Sequence, residues 1–272
     1  MNLQKQQPIG LFDSGLGGLS VAAAVKNLLP NEQIIYYGDT AHLPYGDKSQ
    51  DAIRAYSKSI SEFLVNKGCK AVLIACNTAS SAAYDTVFQA IGDKAIVLDV
   101  IEPTVNEVCN RNQNTKIGVI GTKGTIGSGA YPRRILARKP SFDVRAMATP
   151  LLVPMIEEGF IYDDISNAII RTYLSKDKLT GIDSLILGCT HYPLIKNQIR
   201  KFFNFNVKVI DSAFVAANHL RNQLKDNELL SDSLTGEHKF YVSDYTEMFG
   251  KIAEMFFDET VPLEALNIWK EA

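Results

Sequence analysis

Long apolar runs are missing from this 272-residue chain, and its opening, MNLQKQQPIG, lacks the apolar core of a secretory leader. Crossing a bilayer takes roughly 20 apolar residues in one helix, so no membrane span is expected and the protein is read as cytoplasmic. No block of Lys or Arg stands out, and the charges nearly cancel to a net -2. Phosphate backbones call for clustered positive charge, which excludes nucleic acid as the main partner. Cysteine is scarce: four residues, at 69, 76, 109 and 189, too few for a disulfide scaffold in a chain of this length, and therefore read as reduced thiols. No C-x-x-C or H-x-x-x-H pair occurs. Zinc held by Cys76, Cys189 and His191 is accordingly a minor option, and no metal is expected.

What remains is the composition of an ordinary folded protein, 46% apolar and 21% charged, enough for one large domain or two of average size. Short β-branched runs recur at 8–12, 33–37, 70–75, 95–100, 116–120, 142–147, 183–187 and 206–210, with a ninth at 238–243. Between them lie segments such as 49–66, 162–175, 193–203 and 213–225, whose apolar residues fall at three- and four-residue intervals. Continuous apolar strands alternating with helices predict an α/β fold of mainly parallel sheets flanked by helices. Ligands in such folds bind beyond the carboxyl ends of the strands.

Two of those ends are alike. VLIACNT at 72–78 and LILGCTH at 185–191 each run from apolar residues through one small residue to a cysteine and then to polar side chains. Upstream of them, IGLFDSG at 9–15 and IGVIGTKG at 117–124 share an Ile-Gly start and a Ser or Thr at the sixth position. Asp13 precedes Cys76 by 63 residues and Gly121 precedes Cys189 by 68. A duplicated architecture follows: two similar lobes related by an approximate two-fold, with Cys76 and Cys189 on opposite walls of the cleft between them. The lobes are drawn as 1–98 plus 210–272, and 99–209.

A cysteine that ends a parallel strand is commonly just packed, and Cys69 and Cys109 are read as such small buried hydrophobes. Two strand-end cysteines, each with a Thr within two residues, argue for chemistry instead. Asn77 and Thr78 read as helix-capping residues after Cys76, and Pro193 marks a helix start after Cys189. Both thiols are therefore expected near helix N-termini, where a thiolate is favoured. The same helix starts offer donors for an anionic small molecule. A thiol above and a thiol below one carbon is the geometry of racemisation, with Asp13 and His191 as proton-handling partners. Tyr45-Gly46, in GDTAHLPYGDKS, reads as a turn and equally as a binding loop. Of the adjacent Glu157 and Glu158, at most one can face a site. The GLGG at 15–18 lacks the third glycine of a dinucleotide loop and follows an acidic residue, so that reading is rejected. A thiol hydrolase built on one cysteine and His191 leaves the other cysteine idle, and a two-lobed solute-binding protein would ordinarily carry an export signal.

FDSGLGGLSV, YYGDTAHLPYG, VLIACNTASS, VPMIEEG and LILGCTHYPL, in this order, strongly resemble the glutamate racemases, enzymes without a cofactor that make D-glutamate for peptidoglycan. The resemblance runs from about residue 8 through the second lobe and is weaker over the last 50 residues. It implies that Cys76 acts on the α-proton of D-glutamate and Cys189 on that of L-glutamate, with Asp13 and His191 assisting. It implies a substrate held by Asp13, Ser14, Tyr45, Gly46, Asn77, Thr78, Thr190 and His191, and it makes Glu157 the better match of the acidic pair. The related aspartate racemases typically carry Glu where His191 stands, so the resemblance favours glutamate and leaves another acidic amino acid as the alternative. No cofactor is implied, and a homodimer is left open.

Overall fold

Among the described residues of the computed structural model, ten strands pair in parallel, in two sheets. The structure describes residues 3–111, 115–257 and 260–269. The parts of the expected lobes at 1–2, 112–114, 258–259 and 270–272 lie outside the described residues. In chain order the strands are β1 (Ile9–Asp13), β2 (Ile34–Gly38), β3 (Ala71–Ile74), β4 (Ile96–Asp99), β5 (Lys116–Gly121), β6 (Asp143–Ala148), β7 (Ser184–Gly188), β8 (Lys208–Asp211), β9 (Lys239–Val242) and β10 (Leu263–Ala265). Nine match the apolar runs of the sequence to within two residues at each end. The three-residue β10 was not expected, because a strand of that length on a sheet edge shows no periodicity.

The first sheet has the order β10-β9-β2-β1-β3-β4 and the second β6-β5-β7-β8. The block β2-β1-β3-β4 is thus repeated, strand for strand, as β6-β5-β7-β8. Residues of β1, β2, β3 and β7 are buried throughout, as strands covered on both faces must be. Helices Leu19–Leu28, Ile101–Cys109 and Ser212–Asp226 fill the space between the sheets. One continuous core joins Leu11 and Leu73 of the first sheet to Val119 and Ile186 of the second. Each such Leu, Ile or Val side chain contributes about 1.5–3 kcal/mol by leaving water. Cys109 belongs to this core, while Cys69 packs with Leu64, Val72 and Ile74 on the other face of the first sheet, where burial pushes its thiol up to about 12. Among the described residues, no helix is long and apolar enough to cross a membrane.

In register, Asp13 lies opposite Gly38 at the carboxyl end of the first sheet, and Gly121 opposite Gly188 at that of the second. Cys76 and Cys189 follow the ends of β3 and β7 within two residues, and both line one cavity.

Candidate active site

Cys76 is the N-cap of helix Asn77–Ile91. Its sulfur accepts from the Ala79 amide at 3.5 Å and its S–H donates to Ser14 Oγ at 3.7 Å. A helix N-terminus alone would favour the thiolate, and the sequence predicts one. The structure corrects this: burial pushes the Cys76 thiol well above its usual range, and the Asp13 carboxylate adds to the rise. The Ala79 amide and Ser14 pull the other way without reversing it. Loss of hydration outweighs the helix end, so Cys76 rests as the protonated acid.

Asp13 is fully buried behind that sulfur. Its Oδ2 accepts from the amides of Gly18 at 2.9 Å and Gly15 at 3.3 Å, while Oδ1 has no protein partner. The glycine-rich turn therefore wraps a carboxylate of its own chain, occupying the amides a dinucleotide phosphate would need. Gly18 is required by this close approach, since a Cβ there would overlap Asp13. Tyr36 closes the turn by donating to the Gly15 carbonyl at 2.6 Å.

Cys189 directly follows β7, but the α-helix after it, Lys196–Phe202, begins only beyond a 3-10 turn at Tyr192–Ile195. Pro193 does stand in the first turn of a helix, but a short 3-10 one whose N-cap residue is His191, and the α-helix start is not at the sulfur. Its place is taken by an imidazole: His191 Nδ1 lies 3.8 Å from Cys189 Sγ. On the other side, His191 Nε2 is 3.0 Å from Glu157 Oε1, although off the line of an aligned hydrogen bond. The contact is charge to charge. Burial opposes the imidazolium, yet the Cys189 sulfur and then Glu157 outweigh it and raise His191 to about 10. Glu157 is the last residue of helix Leu152–Glu157, whereas Glu158 is exposed.

Both sulfurs line one cavity of about 40 Å³, together with Ser14, Tyr45, Gly46, Asn77, Thr78, Glu157, Thr190 and His191. The residues expected at the site line this cavity together, except Asp13, which is fully buried and is not among the residues lining it. Asn77 Oδ1 accepts from Tyr131 at 2.7 Å, leaving Asn77 Nδ2 as a buried donor without a partner. Among the described residues, no group of three or more His, Cys, Asp or Glu is arranged to hold a metal ion.

Contacts across the two halves fix this geometry. Thr78 Oγ1 shares hydrogen bonds with Thr122 at 2.9 Å and Thr125 at 3.1 Å, and Ser20 Oγ donates to the Thr190 carbonyl at 2.8 Å. Gly17 packs so tightly on Thr190 and His191 that any side chain there would overlap both. Thr122 also lines the cavity and was not expected there. It stands at the sixth position of IGVIGT, as Ser14 does in IGLFDS, so the repeat itself carried the signal.

A family model described as Asp/Glu/hydantoin racemase matches residues 19–220. A glutamate racemase of Neisseria meningitidis serogroup C is 41% identical over 261 residues, 96% of each chain. Among solved structures, the glutamate racemase of Francisella tularensis in complex with D-glutamate superposes with a TM-score of 0.89 at 39% identity, covering 98% of this chain and 99% of that one. The glutamate racemase of Bacillus anthracis gives 0.90 at 32% identity over 97% and 99%. With a shared fold over nearly its whole length and a family match across most of it, the chain belongs to the Asp/Glu/hydantoin racemase family.

Proposed function

We propose that this protein interconverts L- and D-glutamate by proton transfer between two thiols, without a cofactor, and so supplies D-glutamate for peptidoglycan in the cytoplasm. The observation that carries the reading is the pair of sulfurs, one from the end of each sheet, lining a single cavity. An amino-acid α-proton is weakly acidic, and pyridoxal phosphate commonly relieves that difficulty as an electron sink. Here desolvation, placement and electrostatics must do so. A cavity of about 40 Å³ holds only a few waters at about 10–15 Å³ each, so a substrate that parts the walls enough to enter leaves the site nearly dry.

The Cys189 thiolate removes the α-proton of L-glutamate, and the Cys76 thiol delivers its proton to the opposite face. The product is D-glutamate, and the two sulfurs have exchanged protonation states. The reverse reaction begins from that second state, with Cys76 as base. His191 Nδ1, 3.8 Å from the Cys189 sulfur, handles the proton there, and Asp13 handles the proton at Cys76. The orphaned donor Asn77 Nδ2 and the hydroxyls of Ser14, Thr78 and Thr190 suit the substrate carboxylates. Tyr45 and Gly46 close the wall beside them.

The lobes are drawn as 1–98 with 210–272, and 99–209; membership of β9 and β10 in the first sheet supports that division. A homodimer is part of the proposal, supported by exposed apolar side chains at Phe160, Tyr162 and Ile165 and testable by sedimentation. The decisive experiment is circular dichroism of either glutamate enantiomer with purified protein and no added cofactor. Decay of the signal toward zero from both sides is expected. A constant signal with glutamate, together with decay with aspartate, would move the substrate to the other acidic amino acid; no decay with either would overturn the racemase reading.

A further inference from the structure

Asp39 stands at the end of β2, fully buried, and collects more hydrogen-bond donors than any residue of the cavity wall. Tyr45 Oη donates to its Oδ2 at 2.7 Å, and His42 Nδ1 lies 2.9 Å from Oδ1 and 3.0 Å from Oδ2. Ser243 Oγ donates to Oδ1 at 3.0 Å and Trp269 Nε1 to the same atom at 3.2 Å. The donors come from three separate segments: the loop that follows β2, the end of β9, and the chain's C-terminal stretch. Such charge-assisted bonds are about twice as strong as neutral ones, and a buried carboxylate that loses its donors is costly.

The geometry gives this hub a direction. Tyr45 is buried and lines the substrate cavity together with Gly46, and Gly46 is packed against Thr122 of the other half. On the far side, Trp269 meets the His42 and Tyr56 rings edge-on, with centroids 4.9 and 5.5 Å away, and His42 stacks on Tyr56 at 4.1 Å. The C-terminal stretch is anchored a few residues earlier, where Tyr37 Oη donates to the Leu266 carbonyl at 3.0 Å.

We propose that Asp39 is a positioning residue for the substrate site: it locks the Tyr45–Gly46 wall through Tyr45 Oη and latches the C-terminal segment to the same carboxylate through Trp269. Asp39 touches no reacting atom. It fixes where the wall stands, and the C-terminal stretch is part of that setting. The inference rests on glutamate binding in the cavity as proposed above.

The test combines kinetics with fluorescence, since Trp269 is the single tryptophan of the chain. Asp39→Asn should raise KM for both enantiomers by about tenfold, with kcat changed far less because the thiols stay in place. Tyr45→Phe should do the same. The double variant should be no worse than Asp39→Asn alone, because the two substitutions break one shared bond. Trp269→Phe, which keeps the ring and removes the N–H, should raise KM by a smaller factor. In the unaltered enzyme, D-glutamate should change Trp269 emission with saturation near KM, and Asp39→Asn should abolish that response. An Asp39→Asn protein with unaltered KM, multiplicative effects in the double variant, or emission indifferent to glutamate would each overturn the proposal. Should Asp39→Asn not fold, Tyr45→Phe and Trp269→Phe decide it, and unchanged KM in both sinks it. Failure of the unaltered enzyme to racemise glutamate defeats the functional reading instead, so the two failures are distinguishable.

Discussion

Glu157 Oε1 lies 3.0 Å from His191 Nε2, and the opposite ring nitrogen faces the Cys189 sulfur at 3.8 Å. The imidazole is thereby clamped between a carboxylate and a sulfur in a buried wall. Cys76 has no such cation. Its partners are a serine hydroxyl, a backbone amide and the Asp13 carboxylate. The two thiols are alike in place and different in electrostatics.

That asymmetry predicts a pH response. A folded His191 holds its proton to about pH 10, whereas an unfolded histidine releases it near pH 6.5. Stability contributed by this group is complete below about pH 6.5 and is lost as pH rises toward 10. His191→Asn should lack that alkaline decline in urea melts across pH 6–10. The His191 ring resonances should titrate near 10, and Glu157→Gln should lower the midpoint and cut racemisation by about tenfold. An unaltered midpoint in Glu157→Gln would remove Glu157 from the site.

Each thiol should be indispensable. Cys76→Ser and Cys189→Ser replace an acid/base group with a hydroxyl of similar shape but far weaker acidity. Racemisation should fall by about a thousandfold or more in each, within the range for a lost acid/base group. In D₂O, early product should carry deuterium at Cα while recovered substrate carries little. Equal labelling of both pools at early times would indicate a single base, and full activity in either variant would end the paired-thiol account.

Close packing predicts a remote effect. Gly17→Ala introduces a methyl that must displace Thr190 and His191, because its Cβ overlaps both. A shift of about 1 Å in a catalytic group costs roughly a hundredfold in rate. The variant should therefore lose about that much kcat/KM while melting close to the unaltered protein. Retention of full activity would mean that His191 tolerates displacement.

How much of this was legible in the sequence depended on distance along the chain. The strands and both reactive cysteines were readable because a strand, its small residue and its hydroxyl-rich turn lie within about ten residues. Thr122 was marked by the same repeat that marked Ser14. Asp39 and Trp269 were not readable as partners, since 230 residues separate them and neither carries a local pattern that names the other. The acidity of Cys76 was misjudged for a related reason. A helix start is visible in sequence, but the burial that outweighs it is made by residues from both sheets.

A last prediction concerns stability away from the cavity. Lys70 Nζ lies 2.6 Å from Glu32 Oε2, with the side chains 0% and 1% exposed. Lys70 also donates to the Leu229 carbonyl at 2.8 Å and to Ser231 Oγ at 3.2 Å, and the Ser231 amide donates to Glu32 at 2.8 Å. The pair thus ties the start of β3 to the loop before β2 and to the segment after helix Ser212–Asp226. Two desolvated charges gain little net energy from meeting, but removing one strands the other. Lys70→Met should cost about 3–5 kcal/mol in urea melts, whereas Glu32→Leu combined with Lys70→Met should recover most of that loss. Folded enzyme of either variant should keep kcat/KM, since the pair lies at the amino end of the sheet and the thiols at its carboxyl end. A double variant as unstable as the single would show that the hydrogen bonds of Lys70 to the backbone, rather than the stranded carboxylate, dominate the cost.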